Sequence, residues 1–261
     1  MKIDLSGKNA LVGGSTSGIG LAIAQQLAES GAKVTLLSRT EEKLQKVVSS
    51  LPTPTGQMHQ YLAVDFSDFA SFSERIKEFF KENTIDILVN NTQGPPAGGA
   101  LEQSVDAYQN AFDLLFKSVA LTTELALKHM MRQKWGRVIT VSSISIKEPL
   151  NYLALSNSIR SAVVAWAKSL AYDVAPRGIT VNNVLTGYFD TDRIAQLNAT
   201  KAEKMGVEAS EVRKTMEEQV PMKRIGDPVE FAYLATFLAS EKSAYITGTN
   251  IPIDGGLLKS M

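Results

Sequence analysis

Apolar residues in this chain fall into two alternating patterns. Short stretches rich in apolar residues occupy 10–12, 33–37, 61–64, 85–89, 137–141, 179–184 and 249–253. Runs of this length suit strands buried on both faces. Between them apolar residues recur every three or four positions. Ile19, Ile23 and Leu27 share one face of a helix beginning near Ser17, and helical patterns follow over 41–48, 68–81, 104–133, 153–174 and 229–239. Strand and helix alternate throughout, without internal repeat. The pattern predicts an α/β fold, one doubly wound parallel sheet of about seven strands (Rossmann-type) with helices on both faces. Residues 1–261 are expected to form a single domain. Residues 188–220 change character, being charged and helix-prone with scattered apolar positions. They are read as a lid over a substrate, inside that domain.

The segment 104–133 is apolar on more than one side, through Phe112, Leu115, Val119, Leu121, Leu125 and Met130. One sheet cannot cover so broad a surface. With the apolar stretch 162–166 on the next helix, it predicts a homo-oligomer, a tetramer or dimer.

The polar residues between strands carry the chemistry. After the first run comes Gly13-Gly14-Ser15-Thr16-Ser17-Gly18-Ile19-Gly20, a glycine turn opening a helix. Gly14, Gly18 and Gly20 suit a sharp turn, close approach of backbone to a pyrophosphate, and tight seating of helix on strand. The free N–H groups and positive end of the helix then face the phosphates. No lysine follows, which argues against a nucleoside-triphosphate loop. The bland alternative is a turn that merely packs tightly. The second run ends at Ser38-Arg39, where an acid would hold the ribose of NAD. Arg39 can instead pair with a 2′-phosphate, which points to NADP (NADPH), unless it is simply solvated. Asp65-Phe66 follow the third run, with Asp65 at the adenine edge or only capping a turn. Asn90-Asn91 open a second polar, glycine-rich turn after the fourth.

Composition narrows the partners. Lys plus Arg equals Asp plus Glu at 27 each, so no net field draws the chain to nucleic acid. Cysteine is absent and histidine numbers 2, leaving no expected disulfide or metal site. The start lacks the apolar core of a signal peptide, and no apolar run reaches membrane-spanning length. A cytoplasmic protein with a small-molecule substrate is expected, without membrane or nucleic-acid partners.

The residues resemble the short-chain dehydrogenase/reductase family, of the three-oxoacyl-carrier-protein reductase type, over nearly the whole chain. The resemblance is carried by Gly14-x-x-x-Gly18-x-Gly20, Asp65, Asn90-Asn91, Ser143, Val181-Asn182-x-Val184 and Gly187-x-x-x-Thr191. The segments 221–226, 246–248 and 254–256 match as well. It implies a nicotinamide cofactor lined by Asn90, with Thr191 near the carboxamide, and a catalytic tetrad of Asn, Ser, Tyr and Lys. Three tetrad positions depart. Counting back from Lys168-Ser169-Leu170-Ala171, the Tyr-x-x-x-Lys slot falls on Ser156 and Arg160; counting back from His129-Met130, the asparagine slot falls on Leu115. Thr186 stands where the family has proline before Gly187.

Carbonyl reduction needs a hydride and a proton for the developing alkoxide. A tyrosine beside a lysine suits the second task, and a serine hydroxyl is a poorer acid. Arg160 can hold ribose hydroxyls and supply charge but does not relay a proton. Tyr152 and Lys147 are the compensating candidates, or else a packed loop aromatic and a solvated lysine. The expectation is an NADP-dependent oxidoreductase acting on a carbonyl or alcohol by an altered proton route. Alternatives are an NADP-binding sensor or scaffold without turnover, and an isomerase or lyase on the same fold.

Overall fold

The computed structural model describes residues 2–260, so the two outermost positions of the expected 1–261 domain lie outside the described residues. Seven strands form one parallel sheet: β1 (Asn9–Gly13), β2 (Lys33–Ser38), β3 (Gln60–Ala63), β4 (Ile87–Asn90), β5 (Gly136–Ser143), β6 (Ile179–Thr186) and β7 (Asn250–Ile253). Their order is β3-β2-β1-β4-β5-β6-β7. The direction of winding reverses between β1 and β4, and a crevice opens outside their carboxyl ends.

Alternation along each strand feeds two layers. Ala10 and Val12 pack with Ile23, Leu27, Leu44 and Phe231, from α1 (Gly18–Glu29), α2 (Glu41–Ser50) and the helix Pro228–Ala239. Leu11 points the other way, into a core with Phe72 and Ile76 of α3 (Phe69–Glu82). Leu115, Met130 and Ile159 complete that second layer. This is the doubly wound arrangement expected from the runs.

The segment 104–133 is not one regular helix. It divides into α4 (Val105–Phe112), a π-helical turn (Asp113–Lys117) and α5 (Ser118–Gln133). Ser118 Oγ donates to the Leu114 carbonyl and Thr122 Oγ1 to the Ser118 carbonyl, supplying bonds where the ladder is irregular. A wide turn adds one residue without breaking the helix, and hydrophobic periodicity does not register so small a shift. Leu115 lies in this turn, 2% exposed.

After the long α6 (Ala154–Val174) and β6, residues 188–220 carry α7 (Asp192–Met205) and α8 (Ala209–Gln219); the helix Pro228–Ala239 is α9. Thr191 caps α7, its Oγ1 accepting the Ile194 N–H. Arg213 of α8 grips Asp190 with both terminal nitrogens, at 2.8 and 3.0 Å, tying α8 to the segment that leads into α7. No helix among the described residues is long and apolar enough to cross a membrane.

Candidate active site

A cleft of about 710 Å³ runs along the carboxyl ends of β1, β2, β4, β5 and β6. Gly14, Thr16, Ser17, Gly18, Ile19 and Gly20 form its floor at the start of α1. Gly14 and Gly18 adopt left-handed backbone, with φ of 56° and 54°. The turn is braced from both sides. Thr16 and Ser38 share a side-chain hydrogen bond of 2.9 Å, and Asn91 Nδ2 donates to the Gly13 carbonyl at 3.0 Å. Ser15, by contrast, is fully buried and bonds Leu37 beneath the turn, so its side chain supports the floor without lining it.

At the outer end the walls are Ser38, Arg39, Lys43 and Phe66. Asp65 does not line the cleft. Its Oδ1 accepts the backbone N–H and the hydroxyl of Ser67, making a local turn. Partial burial opposes its charge, but the Ser67 bonds and the nearby Arg39 outweigh this and hold the carboxyl below its usual range. Of the asparagine pair, Asn91 lines the cleft, whereas Asn90 is 6% exposed and donates to Thr123 Oγ1 on α5. The turn thus takes its side chain from Asn91, and Asn90 braces the strand against the helix. Gly187 and Thr191 close the cleft from the β6 side.

The inner end holds two hydroxyls of similar character. Ser143 ends β5, where the register sets it opposite Thr186. Its Oγ accepts the Ser145 N–H at 3.1 Å. Ser156, in the first turn of α6, accepts the Nε–H of Arg160 at 3.2 Å across one helical turn. Each oxygen thus has an N–H aimed at one lone pair, and each hydroxyl proton is left for a ligand. Both serines line the cleft. Arg160 is fixed further by donating Nη1 to the Val141 carbonyl at 2.8 Å. Burial, reinforced by the like charge of Arg193, pushes its guanidinium down to about 10, so it is charged at neutral pH.

Tyr152 and Lys147 lie elsewhere. Lys147 is exposed in the loop after β5, and neither residue lines the cleft. The Tyr152 hydroxyl sits beside that of Tyr188, and burial raises both, Tyr188 to about 12 with help from its neighbour. A phenol raised in this way is a weaker proton donor than a free one.

Sequence reasoning missed Arg193, in the first turn of α7, which donates Nη2 to the Pro95 carbonyl at 3.0 Å and lines the inner cleft. A detectable signal existed. A cation in the first turn of a helix opposes the dipole, so its placement calls for another reason.

Comparison with known proteins follows the same lines. The family described as Enoyl-(Acyl carrier protein) reductase matches residues 14–258. The 3-oxoacyl-[acyl-carrier-protein] reductase FabG of Aquifex aeolicus is 31% identical over 98% of this chain and 100% of its own length. Oxidoreductase UcpA of Escherichia coli (strain K12) is 37% identical over 97% and 95%. Among solved structures, the L-sorbose reductase of Gluconobacter frateurii, complexed with NADPH and L-sorbose, superposes with a TM-score of 0.92. It is 28% identical, with full coverage of both chains. YwfH, an NADPH-dependent reductase involved in bacilysin biosynthesis, gives 0.91 at 28% identity, covering 98% of this chain and 100% of its own.

Proposed function

Because the chain belongs to the short-chain dehydrogenase/reductase family, we propose that it is an NADPH-dependent oxidoreductase that reduces a carbonyl, or oxidises the alcohol, by an altered proton route. The observation that carries this is the pair of hydroxyls, Ser143 and Ser156, with protons free at the inner end of a nucleotide-sized cleft.

The cleft fits the dinucleotide on its own chemistry. Gly14, Gly18 and Gly20 keep side chains off the floor, where the start of α1 presents N–H groups to a pyrophosphate. Arg39 and Lys43 supply positive charge at the adenosine end. NADPH, when bound, supplies the hydride. Ser143 and Ser156 donate to the carbonyl oxygen and hold it as negative charge grows. Arg160 keeps its charge behind Ser156, favours the oxyanion, and has N–H groups left over, one of which would reach the nicotinamide ribose while the others stay free for substrate. Protonation of the alkoxide runs through the Ser156 hydroxyl and water in the space a tyrosine ring would fill. Residues 188–220 act as the lid, with Arg193 docking α7 on the Pro95 loop.

The test is NADPH oxidation, followed by absorbance, against aldehydes, ketones and oxo acids. Slow but saturable turnover is expected on a narrow set. Tight NADPH binding with no turnover on any of them overturns the reductase reading and favours a sensor.

Cofactor choice gives a second expected result. NADPH binds roughly tenfold or more tightly than NADH, through a charge-assisted contact of the 2′-phosphate with Arg39. Titration of Arg39→Ala shows most of this preference lost. Equal affinities in the parent protein rule the contact out.

The oligomer is proposed from α4 to α6. Phe112 and Phe116 stack at 4.8 Å between centroids, and Phe116 meets Trp166 at 5.9 Å, all three only partly covered in one chain. Leu101, Val105 and Tyr172 are fully or largely exposed. Light scattering at micromolar concentration is expected to give two or four times 28.3 kDa. A monomer there is the refuting result.

A further inference from the structure

We propose that Arg193 and Arg160 form an oxyanion subsite at the inner end of the cleft, so that the substrate is a carbonyl compound carrying a carboxylate or phosphate group. This names the substrate class for the reductase proposed above and rests on that reading.

Four cations line the cleft, Arg39, Lys43, Arg160 and Arg193, against the single acid Asp192. Arg39 and Lys43 belong to the outer end, beside Ser38 and Phe66. Arg160 and Arg193 stand at the other end, with Ser143 and Ser156. Other arginines at comparable depth or in the lid have acids: Arg137 pairs with Glu241, and Arg213 with Asp190 and Glu217. Arg160 and Arg193 have none among the described residues. Their partners are the carbonyls of Val141 and Pro95 and the Ser156 hydroxyl.

Those bonds orient the guanidinium groups without neutralising them. Carbonyl and hydroxyl dipoles are weak compensation for the desolvated charge of Arg160, and Arg193, itself exposed to solvent, adds a second like charge beside it. The strain is visible in Arg160, whose acidity is increased by burial and by Arg193. Arg193 also stands where the α7 dipole is unfavourable to it. A ligand oxyanion relieves all three costs together. Each guanidinium keeps N–H groups free, since Arg193 commits one nitrogen to Pro95 and Arg160 two to its neighbours. The planar fork of Arg193 matches a carboxylate particularly well. Ser143 and Ser156 line the same cleft, so a short oxo acid held there by its oxyanion would have its carbonyl oxygen available to their hydroxyls.

The competing role for Arg193 is a phosphate of the cofactor, and the test separates the two. NADPH-loaded protein is titrated with a short 2-oxo acid and its methyl ester, and with a phosphorylated hydroxyketone and its unphosphorylated form. Binding is read from the fluorescence of bound NADPH and turnover from its absorbance. At least one anion is expected to bind about tenfold more tightly than its neutral counterpart, and the preferred pair shows whether carboxylate or phosphate is the source. Arg193→Gln should erase that preference, Arg193→Lys should keep part of it, and the NADPH Kd should move by less than about twofold in both. Equal binding of anions and neutral analogues overturns the proposal. So does weakening of NADPH binding in proportion to anion binding, which gives Arg193 to the cofactor. Because fluorescence reads binding without chemistry, an anion preference with no NADPH oxidation preserves the subsite and rejects the reductase.

Discussion

Ser143→Ala is expected to lower kcat by roughly 10²- to 10³-fold, the cost of removing one oriented donor from a developing oxyanion. The Ser145 N–H occupies one lone pair of Ser143 Oγ and leaves the hydroxyl proton directed at the cleft. Alanine removes that donor and also leaves the Ser145 N–H without its acceptor. Ser143→Thr retains a hydroxyl and should recover part of the rate if the added methyl fits. The NADPH Kd should remain within about twofold, since this contact strengthens only as charge develops on the substrate. Steady-state rates with a fluorescence titration of NADPH check both halves. A full rate in Ser143→Ala would remove Ser143 from the chemistry, whereas parallel loss of NADPH binding would mean that it shapes the cofactor site.

The second large effect belongs to the floor of the cleft. Gly20→Val should weaken NADPH binding by 100-fold or more and lower stability by several kcal/mol, about the scale of an overpacked core position. A Cβ at Gly20 would collide with the Gly14 carbonyl, and it would lie 2.7 Å from Asn91 Nδ2. Both groups are fixed, the first by the turn and the second by its bond to the Gly13 carbonyl. Neither can retreat like the end of a flexible side chain. The helix must therefore lift from the turn, moving its first N–H groups away from the pyrophosphate. Gly20→Ala should show the same direction with smaller size. Thermal unfolding and NADPH titration read the two effects, and a Gly20→Val protein with parental melting temperature and affinity would contradict the close contact.

The phosphate turn illustrates how local pattern and distant packing divide the information. Strand, glycines and helix follow one another within a few residues, so their periodicity and backbone demands are legible in order. The same holds for the alternation of β1–β7 with the helices, because a run of apolar residues and a 3.6-residue period each specify a backbone type. Ser143, Ser156 and Arg160 could be placed by counting along a strand and a helix, whose rise per residue is regular. The π-helical turn at Asp113–Lys117 lay beyond this reasoning, since one extra residue in a wide turn leaves the apolar stripe nearly unchanged.

Side-chain direction was decided by partners far away along the chain. Asn90 and Asn91 are adjacent, yet Thr123 draws the first toward α5 and Gly13, 78 residues away, holds the second over the cleft. Asp65 turns into its own loop through Ser67 while Phe66 faces the cleft. Tyr152 finds Tyr188 instead of the serines, and Arg193 reaches Pro95 across 98 residues of chain. The amino-acid sequence by itself determined the order of elements and the glycine turn that opens α1, both of which depend on neighbours in the chain. Only the tertiary structure decided which asparagine faces the cleft, which N–H groups meet the two serines, and that Arg160 and Arg193 line it with carbonyl and hydroxyl partners but no acid among the described residues, because hydrogen bonds and charge compensation depend on neighbours in space.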